Sequence, residues 1–300
     1  MFYTISMKIL ILGGRGNLGC QLTKAFSSDH ETISLDRDDF DVLDAFLLKE
    51  SLLNVKPDLV LNAVAYNAVD KCEDADYFEL AKKLNSWLPG KLAELCLENS
   101  AALVHYSSDY VFSGTEDKPD FFENETPNPC NKYGESKFWG EEEIRRRANS
   151  GLEYYLIRTS KLFGPRGSSP EAKASFFDLI KDRAIKNLPL DVVNEELSCF
   201  TYTPDLAQAT KRLWELEVPF GAYHLVNEGP LNWFQAAEIF FEKSRITDVK
   251  IRPVRSEDLR RPARRPKFSV LRNHKSKKLR SWNSALEEYI REDKVGNQKI

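Results

Sequence analysis

Long apolar runs are absent from this 300-residue chain. The longest are short, as in Ile9-Leu-Ile-Leu12 and Leu59-Val-Leu61. A membrane-spanning helix needs about 20 such residues, so no span is expected. Residues 1–6 carry neither a basic segment nor an apolar one, so no signal peptide is expected. Met7 reads as the original initiator, preceded by a disordered extension. The five cysteines (Cys20, Cys72, Cys96, Cys130 and Cys199) are odd in number and lack Cys-x-x-Cys spacing. They read as reduced thiols of a cytoplasmic protein. The four histidines (His30, His105, His224 and His274) are scattered singly, so no metal site is expected. Positive charge is not in excess. A net charge of −3 argues against a general nucleic-acid binder, which is usually basic. Repeats and low-complexity tracts are missing too.

What is present is alternation. Lys8-Ile-Leu-Ile-Leu12 reads as a buried strand followed by a glycine-rich turn and a helix through Phe26. Strands are expected at 32–35, 58–61, 102–105 and 154–157, with helices at 46–54, 76–83 and 88–98 and one around Tyr133 between them. Strand–helix alternation of this kind implies an α/β fold, a Rossmann-type doubly wound parallel sheet covered on both faces. Beyond Arg158 the pattern loosens. Helices are expected at 176–186, 203–216 and 233–243, a strand at 222–226 and a short closing helix through 286–290. The segment 255–280 is densely basic and reads first as a solvated or partly mobile face.

Gly13-Gly-Arg-Gly16-Asn-Leu-Gly19 lies between the first strand and the first helix. Glycines there let the backbone turn tightly and approach a pyrophosphate, whose charge the helix N-terminus stabilises. Asp36 ends the second strand, roughly 20 residues past Gly16, at the offset of the acid that binds an adenosine ribose. Its carboxylate favours the 2′-hydroxyl of NADH, whereas Arg15 and Arg37 favour the 2′-phosphate of NADPH or lie solvated. Both cofactors stay open. Ala63-Val64-Ala65 is small and apolar, suiting either close passage of a cofactor or helix–sheet packing.

Asn-Lys-Tyr133-Gly-Glu-Ser-Lys137 follows Pro127 and Pro129. Residues four apart share a helix face, so Tyr133 and Lys137 are expected side by side. A neighbouring ammonium favours phenolate and is expected to lower the tyrosine pKa toward working pH.

With Ser107-Ser108-Asp109-Tyr110-Val111-Phe112, Asn62-Ala-Val-Ala-Tyr-Asn-Ala-Val-Asp70, Arg158-Thr-Ser160 and Arg265-Pro-Lys-Phe-Ser269, these segments resemble the dTDP-4-dehydrorhamnose reductase family of extended short-chain dehydrogenase/reductases. The resemblance covers nearly the whole chain. It implies a dinucleotide-binding Rossmann domain at 7–165, with a return of the chain around 201–228, and a smaller interleaved C-terminal substrate domain, mainly 166–292. It implies catalytic roles for three residues: Ser108 hydrogen-bonds the substrate carbonyl, Tyr133 is the general acid, and Lys137 binds the nicotinamide ribose and lowers the pKa of Tyr133. Gly13, Arg15, Gly16, Asn17 and Leu18 lie at the pyrophosphate, Asp36 and Arg37 at the adenosine ribose, Asp41 and Val42 at the adenine. Ala63, Val64 and Ala65 pass the cofactor. Asp109, Lys161 and Arg265 are expected on the substrate side.

The implied reaction is transfer of hydride from NADPH or NADH to C4 of a nucleotide-activated 4-keto-6-deoxy sugar, in a homodimer. Two departures bear on the sugar. Lys161 stands where the family usually has tryptophan, and Ser198-Cys-Phe200-Thr201 stands for Gly-x-Pro-Thr. Lys161 either adds an anion contact or points to water. Two other readings remain: an epimerase or dehydratase of the same superfamily, and a non-catalytic dinucleotide-binding subunit similar to the regulatory beta subunit of methionine adenosyltransferase.

Overall fold

The computed structural model describes residues 6–297. Residues 1–5 of the expected extension before Met7 lie outside them. Six parallel strands form one sheet. Across it the order is Gly221–His224, Tyr154–Thr159, Ala102–Ser108, Leu59–Asn62, Lys8–Leu12 and Glu31–Leu35. Period-two alternation along a strand sends neighbouring side chains to opposite faces, and the core divides accordingly. Ile9 and Ile11 pack with Leu22 and Phe26 of the helix Asn17–Phe26 and with Leu206 and Leu213 of the helix Thr203–Glu215. Leu10 and Leu12 pack on the other face with Leu48, Leu52, Leu92 and Ile144. A strand apolar on both sides needs both sides covered, and these helices supply the cover.

The strand expected at 222–226 is Gly221–His224, the return of the chain to the sheet edge beside Tyr154–Thr159. The helices expected separately at 76–83 and 88–98 run as one path, Ala75–Lys82 and Leu88–Glu98, joined by a π-helical turn, Lys83–Trp87. One extra residue per turn re-aims the side chains there, and it buries Asn85 completely. The closing helix is longer than expected, Trp282–Asn297.

Residues 163–290 supply a second, aromatic core. Phe177, fully buried, lies against Phe163, Phe200 and Phe240 with ring centroids 5.2, 5.6 and 5.2 Å away. Each such ring taken from water contributes about 1.5–3 kcal/mol. The helices that bring these rings together are strongly capped. Ser175 opens Phe176–Ile185 and Asn232 opens Trp233–Ser244, each through a capping box. Three short parallel strand pairs complete the fold: Leu190–Val193 with Ile251–Val254, Leu162–Phe163 with Thr201–Tyr202, and Asp120–Phe121 with Val270–Leu271.

The chain leaves the strand Lys8–Leu12 toward one neighbour, Glu31–Leu35, and builds the rest of the sheet on the other side. The switch point therefore lies between Lys8–Leu12 and Leu59–Asn62, and in open parallel sheets ligands bind outside the carboxyl ends of the strands there. Among the described residues no helix is long and apolar enough to cross a membrane.

Candidate functional site

The glycine loop sits at that switch point. Gly13 has φ +77°, a left-handed conformation that glycine adopts without a steric cost, and a Cβ there would meet the Ala63 carbonyl carbon and Val64 nitrogen at 3.1 Å. Ala63 and Val64 thus pack directly on the loop. A Cβ on Gly19 would fall 2.1 Å from the Gly13 carbonyl oxygen, so the helix closes on the turn only because residue 19 has no side chain. Gly16 caps the helix Asn17–Phe26 without a side-chain hydrogen bond. The first-turn N–H groups are left to an outside acceptor, which suits a diphosphate. The loop fits the pyrophosphate of a dinucleotide.

The Asn17 side chain engages a distant segment of the chain. Its side chain accepts from the Gly167 N–H at 2.8 Å and donates to the Lys173 carbonyl at 2.7 Å. The segment 164–173 lies across the glycine loop, and the Ser169 N–H donates to the Arg15 carbonyl at 3.1 Å. A Cβ on Gly167 would stand 2.3 Å from that same oxygen. Leu18 is buried in the core and adds packing as well as a backbone N–H.

Asp36 lies where expected, its carboxylate accepting from the Arg15 and Arg37 N–H groups at 2.8 Å each. Neither arginine is merely solvated. Arg15 pairs with Asp38, and Arg37 pairs with Glu171. Asp41 accepts from the Leu43 N–H at 2.9 Å, and Val42 packs at the edge of the core. Ala65 follows Val64 in the segment that leads to Tyr66, whose N–H donates to Asn85 Oδ1 at 2.8 Å.

The helix Lys132–Ala148 carries Tyr133 and Lys137. Asn131 caps it, accepting from the Gly134 N–H at 2.8 Å. Gly134 is required by close approach: a Cβ there would lie 2.2 Å from the Tyr110 carbonyl oxygen. The Ser136 hydroxyl donates to the Tyr133 carbonyl at 2.7 Å and receives Asn85 Nδ2 at 3.0 Å, which ties the π turn to this helix. Ser108 ends the strand Ala102–Ser108 near enough to the Tyr133 phenol to pull its pKa down, while its own hydroxyl donates to Asp109 Oδ1 at 3.1 Å. Tyr133 Oη donates to Asn67 Oδ1 at 3.4 Å, and the ring stands edge-on to Tyr110 at 5.7 Å.

The expected lowering of the Tyr133 pKa by Lys137 is overturned. Burial pushes the phenol up, further than the Ser108 hydroxyl pulls it down. Lys137 is buried as well, and its ammonium donates to the Tyr106 carbonyl at 2.5 Å instead. Burial lowers its own pKa to about 8, against a raising influence from Glu141.

Asp109 lies beside the pair. It is buried and accepts from Ser108 at 3.1 Å and Ser269 at 2.7 Å. Burial raises its pKa despite those bonds and the nearby Lys161. Lys161 does not point to water. At φ +40° its ammonium lies 4.0 Å from the Trp233 ring centroid and 5.1 Å from that of Phe200, and it donates to the Glu196 carbonyl at 3.3 Å. Burial pushes its pKa down to about 8. Arg265 holds Asp70 bidentately, 2.8 Å at each nitrogen, tying the C-terminal segment to 62–73. The basic stretch 255–280 is a largely exposed face, as expected, and much of it is ion-paired. Its partners include Glu196 for Arg261, Asp120 for Arg272, and Asp205 and Glu288 for Arg280.

Several site residues escaped the reading of the sequence. Trp233 and Glu196 are brought to Lys161 only by folding. Asn67 and Ser269 lie inside quoted motifs but carry no chemical signature of their own. Among the described residues no group of three or more histidines, cysteines or carboxylates could hold a metal.

The family model described as the RmlD substrate binding domain matches residues 7–295. Similar curated proteins include the spore coat polysaccharide biosynthesis protein SpsK of Bacillus subtilis, 31% identical over 95% of this chain and 97% of that protein. The dTDP-4-dehydrorhamnose reductase of Mycolicibacterium smegmatis is also 31% identical, over 95% of this chain and 86% of its own. Among solved structures, the dTDP-4-dehydrorhamnose reductase of Bacillus anthracis in complex with NADP superposes with a TM-score of 0.88 at 26% identity, covering 96% of this chain and 100% of its own. The Clostridium acetobutylicum ortholog gives 0.87 at 32% identity, with the same coverage of both chains. A glycine loop at the switch point, a serine near the tyrosine and a match from end to end leave one assignment: the chain belongs to the dTDP-4-dehydrorhamnose reductase family.

Proposed function

We propose that this chain is an NADH- or NADPH-dependent reductase of a nucleotide-activated 4-keto-6-deoxy sugar, with dTDP-4-dehydrorhamnose as the reference substrate. The observation that carries the reading is the Tyr133 phenol, buried with Ser108 beside it and donating to Asn67 Oδ1, its pKa raised by burial. A phenol with a raised pKa keeps its proton at neutral pH and releases it to a stronger base, which an alkoxide forming on a ketone becomes. The bound nicotinamide supplies the hydride to C4. Tyr133 then delivers its proton to the C4 oxygen, and the Ser108 hydroxyl stabilises the charge developing there.

Lys137, cationic below about pH 8, stands one turn along the helix from Tyr133, where it would hold the nicotinamide ribose. Asp109 and Lys161 face the sugar, and Arg265, braced by Asp70, lies at the nucleotide end. Residues 13–19, Asp36 and 63–65 hold the dinucleotide, with Asp41 and Val42 toward the adenine. The same proposal divides the chain into 7–165 with 201–228 for the dinucleotide and 166–292 mainly for the sugar nucleotide, and places it in the cytoplasm as a homodimer.

The test mixes purified protein, NADH or NADPH, and enzymatically generated dTDP-4-dehydrorhamnose, and follows loss of the reduced-nicotinamide absorbance. Oxidation that needs both the sugar and Tyr133 supports the assignment. Dinucleotide binding without turnover moves it to another sugar nucleotide. Failure to bind any sugar nucleotide moves it to a non-catalytic subunit.

A further inference from the structure

The segment 164–173 packs directly against the glycine loop. It is pinned there by the Gly167 N–H on Asn17 Oδ1, the Ser169 N–H on the Arg15 carbonyl, and Asn17 Nδ2 on the Lys173 carbonyl, at 2.8, 3.1 and 2.7 Å. Its C-terminal end is pinned as well, with Lys173 Nζ donating to the Asn67 carbonyl at 3.4 Å. Held this way, the segment carries Glu171 to the guanidinium of Arg37. Arg37 is the residue next to Asp36, whose carboxylate already accepts its N–H.

We propose that Glu171 is a dinucleotide-selectivity residue, which engages Arg37 and so weakens binding of the 2′-phosphate of NADPH relative to the 2′-hydroxyl of NADH. The inference rests on the reading of 13–19 and Asp36 as the dinucleotide site. A doubly charged phosphate beside the ribose needs a free guanidinium. Around this ribose Arg15 is paired with Asp38 and lies 3.9 Å from Asp39, and Arg37 is paired with Glu171. To bind the phosphate, Arg37 must leave Glu171, and the carboxylate so released stands near the phosphate and repels it. The 2′-hydroxyl asks nothing of Arg37, because Asp36 accepts its hydrogen bond directly. Glu171 acts on selectivity from about 130 positions away in sequence through contacts made only in the folded chain.

Both partners are solvent-exposed, with side-chain exposures of 65% and 61%. Glu171→Gln therefore leaves the fold intact and changes one charge. Dissociation constants for NADH and NADPH are measured by titration calorimetry on the wild type, Glu171→Gln and the double variant Arg37→Gln/Glu171→Gln. The single variant is expected to bind NADPH about three- to ten-fold more tightly, the scale of one exposed charge interaction, with NADH affinity held within about two-fold. The double variant loses the gain, and added salt shrinks it. An unchanged NADPH affinity in Glu171→Gln, or a gain that survives loss of Arg37, overturns the proposal while leaving the dinucleotide site standing. Binding of neither dinucleotide by the wild type overturns both.

Discussion

Glu141, one turn beyond Lys137, receives Arg158 Nε at 2.9 Å and Nη2 at 2.7 Å, with both side chains buried. Ser107 donates to the same carboxylate at 2.6 Å. This joint rivets the helix of Tyr133 to the two strands whose ends carry Ser108 and Lys161. Glu141→Ala strands the Arg158 charge in the interior, and loss of one partner of a buried pair typically costs about 3–5 kcal/mol. Urea unfolding at neutral pH is expected to show a loss of this size.

The same carboxyl makes an acid-sensitive contribution. Burial raises the Glu141 pKa, but Arg158, Arg145 and Ser107 outweigh it and leave the pKa below the ordinary value. A carboxyl with a lowered folded pKa stabilises the protein above its unfolded pKa, and that stability is lost as pH falls through the folded one. Stability curves of the wild type and Glu141→Gln should therefore converge in acid, the variant losing less there.

Lys137 predicts the opposite slope. Its folded pKa of about 8 lies below the ordinary 10.5, so the unfolded chain binds more protons between those values. The contribution of Lys137 to stability therefore rises with pH across that window. Relative to Lys137→Met the wild type should gain stability as pH rises through it; Lys161, lowered to about 8 as well, adds a contribution of the same sign, and the buried thiols of Cys72, Cys96 and Cys199, raised in pKa, add one of the opposite sign. Chemical denaturation from pH 7 to 10.5 measures both.

Gly167→Val tests the strap across the glycine loop. A Cβ there meets backbone at 2.3 Å, so the segment must lift from Arg15 and Asn17. The expected outcome is dinucleotide binding weakened about ten-fold or more, equivalent to roughly 1.4 kcal/mol, with little change in melting temperature. Unaltered binding would show that the segment does not shape the site.

Arg265→Lys should not restore what Arg265→Ala loses. The fork on Asp70 is bidentate, and an ammonium cannot reproduce it. Both variants are expected to raise KM for the sugar nucleotide several-fold, the scale of about 1 kcal/mol, while leaving the dissociation constant of the dinucleotide unchanged. A normal KM in the lysine variant would sink the geometric argument.

Much of this protein was legible in its residues taken in order. The strands beginning at Lys8, Glu31, Leu59 and Ala102, the glycine loop and Asp36 are local patterns, set by side-chain period and backbone freedom, and the folded chain keeps them. The Tyr133–Lys137 spacing is local too, and it did place both residues, buried, on one helix. Tertiary structure decided the electrostatics. The tyrosine pKa went up rather than down because burial disfavours a charged phenolate more than nearby groups support it. Lys161 lies against Trp233, Arg37 on Glu171 and Arg261 on Glu196 for a related reason: a charge finds its partner through space, among residues far away along the chain. The sequence by itself determined the sheet, its loops and the residue types at the site. Which of those residues meet, and how each is charged, follows from packing that no local pattern encodes.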